Sequence, residues 1–179
     1  MKTLVLGGVK SGKSRFAEQL VQDWVNQEEN DEQGVIYLAT AQSFDDEFTR
    51  RIERHQAQRP AGWQTIEEPL DIAAVLQHYA GPDHCVLVEC LTLWMSNLLA
   101  DETRLPEQVE QFIDTLVASR AEIILVSNET GLGIMPVNRL ARRFGDETGI
   151  LHQRLANICD RVVVTMAGLP LELKNEARK

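Results

Sequence analysis

Basic residues are the first shortage in this chain: 18 Lys and Arg stand against 27 Asp and Glu over 179 residues, a formal net charge of −9. A balance of that sign argues against a nucleic-acid backbone or an anionic membrane as the main partner. Cysteine is scarce as well. Cys85, Cys90 and Cys159 are odd in number and form no C-x-x-C pair, so they read as reduced core thiols of a cytoplasmic protein. His55, His78, His84 and His152 show neither i,i+4 pairing nor a nearby Cys, which speaks against a zinc site. No apolar run is long enough to span a bilayer, and the short one at the start stops at Gly7-Gly8 and Lys10, unlike a secretory core segment. Aromatic residues make up only 6%, and Trp24, Trp63 and Trp94 are expected in the core rather than as a ligand platform. With 44% hydrophobic residues, one domain with a substantial core over residues 1–179 is the expectation.

What is present begins at once. Lys2-Thr3-Leu4-Val5-Leu6 runs into Gly7-Gly8-Val9-Lys10-Ser11-Gly12-Lys13-Ser14, a complete G-x-x-x-x-G-K-[ST] phosphate loop. Backbone N–H groups can wrap phosphate oxygens only where no Cβ intervenes, hence glycine at both ends of the motif. Lys13 can then reach the β- and γ-phosphates, Ser14 can offer a hydroxyl to Mg²⁺, and the helix that follows adds the positive end of its dipole. Phe16, Leu20, Val21 and Trp24 supply that helix's apolar spacing, completing a strand–loop–helix setting.

Short β-rich runs alternate with helical patterns along the rest of the chain. Thr3–Leu6, Val35–Ala39, Trp63–Ile66, Cys85–Val88, Ile123–Ser127 and Val162–Met166 read as strands. Near-continuous apolar strands suit a parallel sheet covered on both faces, so the class is α/β. Ligands of such sheets collect at the carboxyl ends of strands. Glu89 ends one strand, in position to hold Mg²⁺ or to be only a loop residue. Asn128 and Glu129 follow another, ahead of Thr130-Gly131-Leu132-Gly133-Ile134-Met135-Pro136, either a shaped active-edge loop or a connector, and then a helix with Arg139, Arg142 and Arg143.

After the second strand, Ser43 and Asp46 have capping-box-like spacing for a helix running to about Gln58. On it Phe48, Ile52 and His55 share one stripe, with Arg51 and Arg59 four residues to either side of His55. Two guanidinium groups can bind phosphates and also keep a neighbouring imidazole neutral and nucleophilic. The plainer alternative is a structural histidine beside a solvated face in which the arginines pair with Glu47 and Glu53.

As a set, these residues resemble the bifunctional adenosylcobinamide kinase/adenosylcobinamide-phosphate guanylyltransferase family of cobalamin biosynthesis. The resemblance runs through GGVKSGKSRFAE, YLATAQSFDDEFTRRIERHQAQRP, WQTIEEP, VLVECLTLWMSNLL, VSNETGLGIMPVNRLARRFGDETG and HQRLANICDRVVVTMAGLPLELK. Its most specific parts are R-I-x-x-H-x-x-x-R-P and N-E-x-G-x-G-I-x-P-x-N-R. It implies a P-loop NTPase-like three-layer sandwich with a mostly parallel, RecA-like sheet. It also implies two reactions: γ-phosphoryl transfer from ATP or GTP, with Mg²⁺, to adenosylcobinamide, and transfer of GMP from GTP through a histidine to the phosphorylated corrinoid. Carried over by position, it makes His55 the GMP-histidine intermediate and places nucleotide contacts on Gly7, Gly8, Val9, Lys10, Ser11, Gly12, Lys13 and Ser14, and on Ala39, Thr40 and Ala41. Arg51, Gln56, Ala57, Gln58, Arg59, Glu67 and Glu89 complete the implied nucleotide set, with Ser14 and Glu89 at the metal. A symmetric homo-oligomer, a trimer, is implied too.

The chain departs from the family pattern in places. Arg54-His55 replaces the two adjacent histidines of some members, Val9-Lys10 stands where Ala-Arg is familiar, and His152 stands where Asn is frequent. The acidic segment Gln27–Gln33 looks like an insertion. Two other readings compete: a single-function small-molecule kinase with a structural His55, and a nucleotide-dependent switch or assembly protein. Against the latter, no N-K-x-D guanine-reading motif exists, the nearest candidate being Ser127-Asn128-Glu129-Thr130.

Overall fold

The alternating strands assemble into one seven-stranded sheet in the order β3 (Gln64–Glu67), β2 (Val35–Ala39), β4 (Cys85–Glu89), β5 (Glu122–Asn128), β1 (Lys2–Gly7), β6 (Arg161–Met166) and β7 (Leu169–Asn175). The computed structural model describes residues 1–27, 30–41, 62–101 and 103–176. The helix expected between Ser43 and Gln58 lies outside these residues, and with it Arg51, Arg54, His55, Gln56, Ala57, Gln58 and Arg59, as do Glu28 and Glu29 of the acidic segment. Every neighbouring pair of strands is parallel except β6 and β7, which form an antiparallel hairpin. This is the expected α/β, P-loop NTPase-like fold with a mostly parallel sheet, and β5 lies between the strand that feeds the phosphate loop and the strand that ends in Glu89.

Because side chains alternate across a strand, each face of the sheet carries its own apolar cluster. Leu4, Ile36, Leu38, Val86, Val88, Ile123 and Leu125 face one side. They pack under α2 (Ile72–His78), α3 (Leu91–Leu98), α4 (Leu105–Ala118) and α5 (Arg139–Ile158) through residues such as Leu76, Trp94, Phe112 and Leu155. Val5, Tyr37, Leu87, Ile124 and Val126 face the other side. Among the described residues only α1 (Lys13–Val25) covers that face as a helix, through Ala17, Val21 and Trp24, with Trp63 beside it.

All three tryptophans are buried, as expected. Trp94 resolves the polar end of its ring by donating its indole N–H to the Leu70 carbonyl at 2.8 Å, and it meets Phe112 edge-on with centroids 4.9 Å apart. The three cysteines are free and buried. Burial pushes each thiol up, that of Cys159 to about 12, so none is a ready nucleophile.

Strand boundaries differ from the sequence reading by a residue or so, and Trp63 precedes β3. β7 is an addition. Pro170 and the charges at Glu172 and Lys174 disguise it, but Pro is tolerated on an edge strand, which β7 is.

Candidate active site

The phosphate loop leaves β1 at Gly7 and enters α1 at Lys13. Its shape depends on a part of the chain more than 150 residues away. Gly7 lies so close to β6 that a Cβ there would sit 2.5 Å from the Thr165 carbonyl oxygen. Ser11 Oγ and Thr165 Oγ1 share a buried hydrogen bond of 2.8 Å, and Thr165 Oγ1 also donates to the Leu6 carbonyl at 3.3 Å. Ala167 and Gly168, with φ of 53° and 80°, form the two-residue turn between β6 and β7. The Gly168 N–H then donates to the Ser11 carbonyl at 2.9 Å. Gly12 meets two demands at once: its φ is 99°, and a Cβ would stand 3.1 Å from Gly168 Cα. A cavity of about 490 Å³ lies between this turn and the loop, lined by residues 10–15, Ala167 and Gly168.

Lys13 is buried and donates from Nζ to the Gly8 carbonyl at 2.6 Å, which closes the loop over itself. Burial lowers its pKa and the Glu89 carboxylate works against that. Ser14 donates its hydroxyl to Glu89 Oε1 at 2.9 Å. The start of α1 and the end of β4 are therefore joined through two oxygens of the kind that hard divalent cations prefer.

Glu89 belongs to a row. Ala39 is in register with Glu67 on β3 and with Glu89 on β4, so two carboxylates flank Ala39 at the carboxyl ends of three adjacent strands. Glu67 is exposed and Glu89 half-buried. Thr40, next along, is fully buried, and its hydroxyl is committed to the backbone. It donates to the Cys90 carbonyl at 2.8 Å and accepts from the Cys90 N–H at 2.9 Å. Asn97 of α3 adds donors to the Thr40 carbonyl at 2.9 Å and the Pro69 carbonyl at 3.0 Å. The residues 39–41 segment is thus held by its neighbours, and the Thr40 side chain serves the frame.

On the other side of β4, the end of β5 is fastened by a buried chain of side chains. His152 Nε2 pairs with Ser127 Oγ at 2.8 Å, Ser127 Oγ with Thr92 Oγ1 at 3.2 Å, and the Asn128 N–H donates to Thr92 Oγ1 at 2.6 Å. Burial lowers the His152 pKa, with Glu129 pulling the other way, so a neutral ring joins α5 to the sheet. The Glu129 N–H donates to the Gly7 carbonyl at 3.0 Å, which brings the start of the 129–138 loop against the phosphate loop.

The structure therefore brings together the phosphate loop, Ala39, Thr40 and Glu89 along one sheet edge, with Glu67 in the same row. Thr165, Gly168, Thr92, Ser127 and Asn97 were not legible as site residues. A threonine in a strand or a glycine in a turn carries no local signal of a partner that distant.

A sequence model described as cobinamide kinase / cobinamide phosphate guanyltransferase matches residues 3–173. The chain belongs to this family. Among curated proteins it is 49% identical to the bifunctional adenosylcobalamin biosynthesis protein CobP of Pseudomonas aeruginosa, over 98% of this chain and 99% of that protein. It is 36% and 34% identical to the bifunctional adenosylcobalamin biosynthesis proteins CobU of Salmonella typhimurium and Escherichia coli, each over 97% of this chain and the whole of the relative. Membership of the cobinamide kinase/guanyltransferase family makes the chain an enzyme of nucleotide-dependent group transfer. The phosphate loop and its Glu89 neighbour both lie within the matched residues.

Proposed function

We propose that this chain carries both reactions at the sheet edge described above. The observation that supports it best is the Ser14–Glu89 hydrogen bond beside Lys13, which unites the phosphate loop with an acid on another strand. In the first reaction the hydroxyl oxygen of adenosylcobinamide attacks the γ-phosphorus of ATP or GTP, and the nucleoside diphosphate leaves. In the second, the His55 imidazole attacks the α-phosphorus of GTP and pyrophosphate leaves; a phosphate oxygen of adenosylcobinamide phosphate then attacks that phosphorus and frees the histidine. Splitting the transfer in this way makes two displacements of one harder one.

Ser14 and Glu89 fit Mg²⁺ by donor type, a hydroxyl and a carboxylate already side by side. When bound, the ion would neutralise charge on phosphate oxygens. Lys13 and the backbone of residues 7–14 hold the triphosphate, and Ala39, Ala41, Glu67 and Glu89 contribute contacts from the neighbouring strand ends. Arg51, Gln56, Ala57, Gln58 and Arg59 serve the nucleotide along with His55, the arginines by neutralising charge at the α-phosphate. Family membership and the spacing of these residues support this assignment.

The three buried, free thiols suit a reducing cytoplasm. No helix among the described residues is long and apolar enough to cross a membrane. Self-association into a symmetric trimer is part of the proposal, and exposed Leu169, Leu171 and Leu173 on edge strand β7 offer a surface for it; light scattering that finds only monomer would remove it. The bifunctional reading is tested with GTP labelled at the α-phosphate, without corrinoid. An acid-labile, base-stable protein adduct that disappears in His55→Ala is expected. No adduct in the unmodified protein would leave only the kinase.

A further inference from the structure

The loop between β5 and α5 is built unlike an ordinary connector. Leu132, Ile134 and Val137 are 83%, 98% and 96% exposed, and Met135 and Leu140 are exposed with them. Five large apolar side chains within nine residues contribute almost nothing to either core cluster. Polar bonds meanwhile fix the backbone that carries them. At one end, the Glu129 N–H reaches the Gly7 carbonyl and the Gly131 N–H the Glu129 side chain. At the other, Asn138 Oδ1 caps α5 by accepting from the N–H groups of Leu140 and Ala141 at 2.8 and 3.2 Å, and Arg142 donates to the carbonyls of Pro136 and Val137. A Cβ on Gly133 would meet nothing within 4 Å, so the space beside the loop is open.

An anchored backbone that holds apolar side chains in water is expected at a binding surface. We propose that Leu132, Ile134, Met135, Val137 and Leu140 form the seat for the corrin macrocycle of the cobinamide substrate, an inference that rests on the reading of function above. Position selects this occupant. The loop starts against Gly7, at the same end of the sheet as the phosphate loop, and the hydroxyl that accepts the γ-phosphoryl group has to be presented at that end. Chemistry selects it too. A corrin is a broad, methyl-bearing disc with amides at its rim, and it needs apolar area in place of directional charge. A second copy of the chain is the rival occupant, but the exposed leucines of β7, on an unpaired strand edge, suit that role better.

The decisive variant is the double substitution Ile134→Ser/Val137→Ser, in the full chain. Equilibrium dialysis with cobinamide is expected to show affinity weakened by at least about tenfold, the scale of losing two apolar contacts, and the KM for cobinamide in phosphorylation should rise in parallel. Histidine labelling from GTP and the mass by light scattering should not change. Unaltered cobinamide binding overturns the inference, as does a variant whose weaker binding comes with a smaller particle, which would assign the loop to a contact between copies. Absence of label in the unmodified protein defeats the guanylyl-transfer reading instead, and the dialysis result still decides this one.

Discussion

Two loops leave neighbouring strands at the same sheet edge, and they are built on opposite principles. The loop after β1 buries Ser11 and Lys13, and hydrogen bonds from Thr165 and Gly168 support it from behind. The loop after β5 has its backbone fastened at both ends and its apolar side chains in solvent. The contrast follows from what each would hold. Phosphate oxygens are small and charged, and they reward donors fixed in place before binding. A large apolar ligand is held by area, so exposed side chains matter and their exact atoms matter less.

The sharpest way to break the first loop is Lys13→Ala. Loss of this cation should lower kcat for phosphoryl transfer by about 10²–10³-fold, measured by steady-state kinetics; a fall below tenfold would mean that Lys13 serves only to close the loop onto Gly8. Next comes Gly12→Ala, which imposes a side chain at φ 99° and 3.1 Å from Gly168 Cα. It should cost about 2 kcal/mol in urea unfolding and weaken GTP binding as well. Thr165→Val removes the bond to Ser11 from behind and should cost about 1 kcal/mol, with a several-fold weaker GTP affinity by titration calorimetry. An unchanged affinity would show that the loop keeps its shape without this support.

The His152 chain under the second loop gives a pH test. The folded-state pKa lies below the ordinary 6.5 because the ring is buried. As pH falls through 6.5 the unfolded chain takes up its proton first, so stability is complete above that point and is lost as pH drops toward the folded value. Urea midpoints at pH 7.5 and pH 5 should therefore differ more in the natural protein than in His152→Asn. Smallest of all is the effect of Ile134→Ser/Val137→Ser on folding. Side chains that touch so little should change stability by less than about 0.5 kcal/mol, and a larger loss in thermal denaturation would blur the contrast between the loops.

Much of the site could be read locally because its chemistry is local. Gly7–Ser14 is a contiguous motif, Glu89 is marked by the apolar run Val86-Leu87-Val88 before it, and Glu129 by Ile124-Leu125-Val126. Thr165 and Ser11 are 154 residues apart, and neither belongs to a pattern that names the other. The same holds for Asn97, whose amide spans β2 and the segment after β3, and for His152, which a sequence reading could mark only as unusual. Pro170 hid β7, and with it the turn that braces the phosphate loop.

By itself, then, the sequence determined the α/β class, the phosphate-loop motif and the family, because periodicity, a contiguous motif and long matching segments need no third dimension. Only the tertiary structure decided what holds the phosphate loop in shape, which hydroxyls are spent on the frame, and that the loop after β5 starts against Gly7. Those depend on contacts between elements far apart in the chain, which sheet order and the packing of α3 and α5 on the sheet set together.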